Sequence, residues 1–162
     1  MAIKPIVEYP APVLLSPGDP VINFDANLEA LVQDMFDTMY DAQGVGLAAQ
    51  QIAVPLRLFV MNCDGIKLVA ANPEILSVEG EQEGDEGCLS VAKVPAPLKR
   101  PATVVLRAQD LYGQLFEREA TGLAARCFLH ETDHCDGRLF IHHLTPLRRE
   151  MVVRRFRKLQ RG

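Results

Sequence analysis

The chain has 162 residues, a net charge of −4, and a composition that is 48% hydrophobic and 23% charged. That length suffices for one domain that buries a core without disulfide staples, and that charge excludes a protein that coats nucleic acid through its overall field. Four scattered cysteines (Cys63, Cys88, Cys127, Cys135) without a CxxC pair read as reduced thiols, so no disulfide partner is expected.

In chain order, the first 24 residues are rich in proline and read as an extended arm. MAIKPIVEYPAPVLL has neither the apolar core of a signal peptide nor the arginines of a transit peptide. No run approaches the roughly 20 apolar residues that span a bilayer. A cytoplasmic protein with no membrane partner is therefore expected. Leu28, Leu31, Val32, Met35, Phe36 and Met39 recur at helical spacing, which predicts a helix to about Tyr40, capped by Asn23 or Asp25.

GVGLAAQQ (44–51) then reads as a glycine-punctuated loop, followed by short strands over 56–63, 67–71 and 74–78. The first half of the acidic run EGEQEGDE (79–86) reads as a solvated loop. Pro95, Pro97 and Pro101 punctuate the segment after Gly87-Cys88-Leu89-Ser90. A hairpin is predicted from 103–109 and 114–119 around Leu111-Tyr112-Gly113. Thr121 is expected to cap a helix that runs to about Cys135 and stops at Gly137. Thr145-Pro146 starts a third helix, with basic residues gathered toward its C-terminal end. Helices and strands do not alternate regularly, so the fold class is α+β: mostly antiparallel strands packed around a central helix that carries HExxH, plus a C-terminal helix, in a single domain over 1–162.

The chemistry concentrates in FLHETDHCDG (128–137). His130 and His134 lie one helical turn apart, about 6 Å along the axis, so both rings can reach one ion with Glu131 beside them as a base. A hydrolytic site needs a third protein ligand and an open position. The longer pattern HExxHxxGxxH fails here, because its last position is Phe140. Glu150, beside Arg148 and Arg149, suits a surface ion pair. Cys127 shares the histidine face but stands seven residues before His134, about 10 Å of rise, and Cys135 is turned about 100° away from His134. Cys63 ends an apolar strand and reads as a small hydrophobe. Cys88 follows a glycine outside any apolar run and is the leading third ligand, which makes a Cys-His-His site. Asp133 faces away from the histidine pair as a supporting group, and His142 and His143 read as surface or capping residues.

GVGLAAQQ, EGCLS and HETDHCDG resemble, in order and spacing, the three signature motifs of the peptide deformylase family. The resemblance extends to DMFDTMY before the first motif and GRLFIHHLTPL after the third. It implies a metallohydrolase that removes the formyl group from the N-terminal methionine of newly made polypeptides and releases formate. Metal ligands would be Cys88, His130 and His134, and Glu131 would be the acid and base. Gln51 and the backbone N–H of Leu89 would donate to the developing oxyanion. Gly44 and Gly46 would allow close approach of the substrate peptide near Val45 and Gly46. Val45, Gly46, Gly87, Leu123, Arg126 (through its stem) and Cys127 would line the substrate site, and Glu86 and Arg100 would form a supporting ion pair. The implied cofactor is one divalent ion, Fe2+ in the cell, with Zn2+, Ni2+ or Co2+ as others the ligands accept. The implied partner is the nascent formyl-Met polypeptide, and the basic C-terminal helix reads either as a surface that docks on the ribosome or as a solvated basic face.

Three positions depart from the family pattern: Leu129 replaces its glutamine, Cys135 its leucine, and Val91-Ala92-Lys93 its proline-glycine turn. None is a ligand, base or oxyanion donor. Two other readings fit the residues alone: an HExxH metallopeptidase that cuts other peptide bonds, and a catalytically silent metal-binding or ribosome-associated module.

Overall fold

Strands pair because LFVMNC is apolar at every position but one, so the strand it forms is buried on both faces. The computed structural model describes residues 2–161; Met1 and Gly162, the outermost residues of the expected domain, lie outside the described residues. Among the described residues the helices are α1 (Ala26–Asp41), α2 (Gly122–Cys135) and α3 (Pro146–Arg161). The strands are β1 (Gly46–Ala48), β2 (Leu58–Cys63), β3 (Ile66–Glu79), β4 (Gln82–Glu86), β5 (Ala96–Arg100), β6 (Thr103–Gln109) and β7 (Leu115–Thr121). Five strands form an antiparallel sheet in the order β1-β2-β3-β6-β7, and β4 pairs with β5 in a separate two-stranded ribbon. The α+β class read from the sequence is the one observed.

The sheet separates two cores. Phe59, Met61 and Cys63 of β2 point to the face covered by α2, where they meet Ala124, Ala125, Cys127 and Phe128. Leu58 and Val60 point to the opposite face and meet Leu28, Val32, Met35, Phe36 and Met39 of α1. This is the period-2 alternation of a strand between two helices, and each fully buried side chain of this size contributes about 1.5–3 kcal/mol. A third cluster joins Cys88, Val91 and Val94 to Phe140, Ile141, Val152 and Phe156, so α3 braces the loop that carries Cys88 against the turn after α2.

Several expectations change. Strands 67–71 and 74–78 are one strand, β3, with register irregularities between Ala71 and Glu74 and between Ile75 and Ser77. The break falls at Asn72-Pro73, where proline removes a ladder donor. Asn72 takes a left-handed φ of 53° and its side chain bonds both backbone groups of Val21. The acidic run is a loop only around Gly80, since Gln82 already begins β4. Part of GVGLAAQQ forms β1, which pairs with β2 from Gly46 to Ala48. Asp25, rather than Asn23, caps α1 by accepting from Leu28 N at 3.1 Å. Thr121 occupies the N-cap position of α2, yet its side chain makes no capping hydrogen bond. Gly137, at a left-handed φ of 81°, ends that helix as expected, and the position also requires glycine because a Cβ there would stand 2.6 Å from the Ser16 carbonyl carbon.

Candidate metal centre

Helix α2 carries His130 and His134 one turn apart, with ring centroids 5.0 Å from each other in an edge-to-face arrangement. Cys88 enters from the end of β4, with its Sγ 3.3 Å from His134 Nε2. One donor atom from each of Cys88, His130 and His134 lies within 4.8 Å of the others, and all three residues are buried. Tetrahedral ligation with bonds of 2.0–2.3 Å separates donors by about 3.5 Å, so a thiolate and two imidazoles this close suit a single ion. Cys63, Cys127 and Cys135 do not join the group. Burial, the largest cause in each, pushes the Cys127 thiol well up and that of Cys135 to about 12, so both sulfurs act as small neutral packing groups.

Glu131 sits beside the ligands, with Oε2 4.0 Å from His130 Nε2 and Oε1 buried without a hydrogen-bond partner among the described residues. Burial raises its carboxyl to about 7, although the neighbouring His130 pulls the other way. Burial and the His130 ring together push His134 well below the usual histidine range, which keeps it neutral and able to ligate. Burial disfavours a charge on His130, but Glu131, Cys88 and Glu86 hold its ring well above that range. A cation held by the ring would take the place of that proton.

Behind His130 stands a carboxylate hub. Glu86 Oε2 faces His130 Nδ1 at 2.7 Å and accepts from Arg100 Nη2 at 2.7 Å. Its Oε1 accepts from Arg100 Nε at 3.0 Å and Arg126 Nη1 at 2.9 Å. Burial alone would raise this carboxyl, but hydrogen bonds from His130 and Arg100 hold it well below the carboxylate range. Such a partner fixes the ring so that Nε2 faces the site. Asp133 points away from the ligands, accepting from Arg100 Nη1 at 3.0 Å and facing His143 Nε2 at 2.8 Å. His142 Nδ1 caps the Leu139 N–H at 2.9 Å. Phe140, where the longer motif would need a histidine, stacks on His130 at 6.2 Å between ring centroids.

A cavity of about 330 Å³ opens onto this centre. One wall is Gly44, Val45 and Gly46; the other is Glu86, Gly87, Cys88 and Leu89, with Leu123, Arg126, Cys127 and Glu131 along α2. Gln51 also lines it, accepting from Ala48 N at 3.0 Å and donating from Nε2 to Ser90 Oγ at 3.1 Å. The motifs assign Ser90 no role of its own; its signal in the sequence is its place at the end of EGCLS, two residues after Cys88. Where the family's proline-glycine turn is missing, Ala92 and Lys93 both take left-handed φ values, 50° and 58°. Lys93 Nζ reaches across to the Ala42 carbonyl at 2.8 Å. Leu129 packs against the α2 core and Cys135 is fully buried in it.

A buried thiol and two imidazoles, beside a carboxylate on an HExxH helix in an α+β fold, fit a metallohydrolase centre that would hold one ion. The polypeptide deformylase family model matches residues 3–150. The chain is 47% identical to the peptide deformylase of Acidobacterium capsulatum over 167 residues, which is 100% of this chain and 98% of that protein. The crystal structure of a peptide deformylase from Legionella pneumophila matches with a TM-score of 0.95 at 46% identity, covering 99% of this chain and 96% of that one. The peptide deformylase of Ehrlichia chaffeensis in complex with actinonin matches with a TM-score of 0.91 at 32% identity over 100% of both chains. The chain belongs to the polypeptide deformylase family.

Proposed function

We propose that this protein hydrolyses the N-formyl group from the N-terminal formyl-methionine of newly made polypeptides and releases formate, with the whole chain as its catalytic unit. One observation carries the reading in a chain of this family: Cys88, His130 and His134 bring their donor atoms within 4.8 Å of one another, and Cys88, His130 and Glu131 line one cavity. A divalent ion held by those three residues supplies Lewis-acid chemistry, acidifying a water molecule and polarising the formyl carbonyl. Glu131 takes the proton from the attacking water and returns it to the departing amine nitrogen. Its unpartnered Oε1 leaves an acceptor free for that transfer. Gln51 Nε2 and the Leu89 N–H donate to the oxyanion, and losing one such donor typically costs about 3–4 kcal/mol.

Val45, Gly46, Gly87, Leu123, Arg126 and Cys127 receive the methionine side chain; their common cavity supports this assignment. We take Fe2+ as the cellular ion, as the family resemblance implies; one thiolate with two imidazoles accepts Zn2+, Ni2+ and Co2+ as well. Elemental analysis of anaerobically purified protein tests that choice. Arg155, Arg157, Lys158 and Arg161 gather along the last turns of α3, and they support docking on the ribosome. Such docking weakens steeply with salt in a sedimentation assay. A protein acting on nascent chains works in the cytoplasm, where they are made.

The test is formate release from formyl-Met peptides by the parent and by Glu131→Gln. The variant is expected to keep its metal and to lose activity by about 10²–10⁴-fold. Actinonin is expected to block the parent. Cleavage of unformylated peptides alone would favour the metallopeptidase reading and reject deformylation.

A further inference from the structure

Arg126 does more than its place in the cavity wall requires. A wall that contacts an apolar side chain is served by an aliphatic residue, and burying a guanidinium carries a desolvation cost that only good partners offset. Here the residue is 6% exposed, and Nη1 makes both contacts, donating to the Leu98 carbonyl of β5 at 3.0 Å and to Glu86 Oε1 at 2.9 Å, while Nη2 is buried without a partner among the described residues. Glu86 is the same carboxylate that holds His130 Nδ1. Arg126 and His130 are four residues apart, on one face of α2. One side chain from β4 therefore grips two neighbouring positions of the helix, one of them a metal ligand.

The second arginine of the hub cannot do this alone. Arg100 spends Nε and Nη2 on Glu86, but its Nη1 goes to Asp133 at 3.0 Å, so one positive charge serves two carboxylates. Arg126 supplies the remaining compensation and the second donor on Oε1. Removing it frees that oxygen on one side and lets the carboxylate tilt, with the His130 ring following. We propose that Arg126 is a positioning residue for the metal centre, fixing through its guanidinium the Glu86 carboxylate that orients His130. The inference rests on the reading of Cys88, His130 and His134 as metal ligands.

Cobalt(II) titration of the metal-free chain, in competition with a chelator, measures this directly. Arg126→Met is expected to bind cobalt about tenfold more weakly, the low end of the loss seen when an outer partner of a metal-bound imidazole is removed. Its kcat is expected to fall by a similar factor for formyl-Met and formyl-norleucine peptides, with KM little changed. Glu86→Gln should weaken cobalt binding at least as much, and adding Arg126→Met to it should cost little more, because the two act as one unit. If Arg126→Met does not fold, Arg126→Lys carries the comparison. It keeps the charge, but its ammonium ends one bond short of Nη1, the nitrogen that makes both contacts, and it should still bind cobalt more weakly than the parent. Parent-like affinity in either variant, a change confined to KM, or losses that add in the double variant overturn the proposal. A parent that binds no cobalt and releases no formate defeats the metal reading and this inference with it. A parent that does both, beside variants of equal affinity, defeats the inference alone.

Discussion

Gly46 leaves room for Glu131: a Cβ at position 46 would stand 2.6 Å from Glu131 Oε2 and 2.8 Å from Cys127 Sγ. The glycine is needed for this close approach rather than for a turn, since the residue lies in β1 opposite Met61. Gly46→Ala must therefore push the carboxylate aside or lift β1 from α2. Displacement of a catalytic group by about 1 Å costs on the order of 100-fold in rate. Formate release is expected to fall by about that factor while metal content, set by residues that the methyl does not touch, stays at the parent level. An alanine variant with parental kcat/KM would show that Glu131 has slack at this contact.

Ser90 holds Gln51 at 3.1 Å, and the backbone of the same two residues is pinned by the N-terminal arm, with Val7 N on the Gln51 carbonyl at 2.7 Å and Tyr9 N on the Ser90 carbonyl at 2.9 Å. The backbone ties survive in Ser90→Ala, so the loop should keep its place and only the amide should swing. The rate is expected to drop by about 5- to 10-fold, the effect of one neutral hydrogen bond of about 1 kcal/mol, with KM and cobalt affinity unchanged. Loss of metal in that variant would assign Ser90 to the ligand loop instead of to Gln51.

These contacts mark where the sequence is legible and where it is not. The pairing of His130 with His134 follows from helical rise alone, and Cys88 was the leading candidate because rise and rotation set Cys127 and Cys135 aside. The two-stranded ribbon β4–β5 gave no such signal. EGEQEGDE lacks apolar alternation, and Pro97 removes a donor from a strand that pairs on one side only. What draws it together includes the buried Glu86–Arg100 pair across the ribbon, a partnership between residues 14 apart that no local period encodes. Arg126 was legible as a wall through its stem, but the partner of its guanidinium depends on where β4 comes to rest. Asn72 likewise disguised one strand as two, because its left-handed backbone and Pro73 look like a turn until Val21 is seen bonded to the side chain.

Ala92 offers a change that should improve the fold. Its φ of 50° and ψ of 31° place a non-glycine residue in the left-handed region, in the segment where the family's usual proline-glycine turn is missing. Such a backbone costs an L-residue about 1–2 kcal/mol, and the side chain is exposed, so removing its methyl forfeits no packing. Glycine also loses more entropy on folding, which returns about 0.4–1 kcal/mol of that gain. The net stabilisation by Ala92→Gly is therefore about 0.5–1 kcal/mol, or about 1–4 °C in Tm for a chain of this size. Lys93 must keep its own left-handed φ of 58° and its hold on the Ala42 carbonyl. If it does, activity is unchanged and only the melting curve moves. A lower Tm would mean that the alanine restricts the unfolded chain more than it strains the folded one. A raised Tm with a raised KM would mean that the stiff turn also sets the distance between the two walls of the cavity.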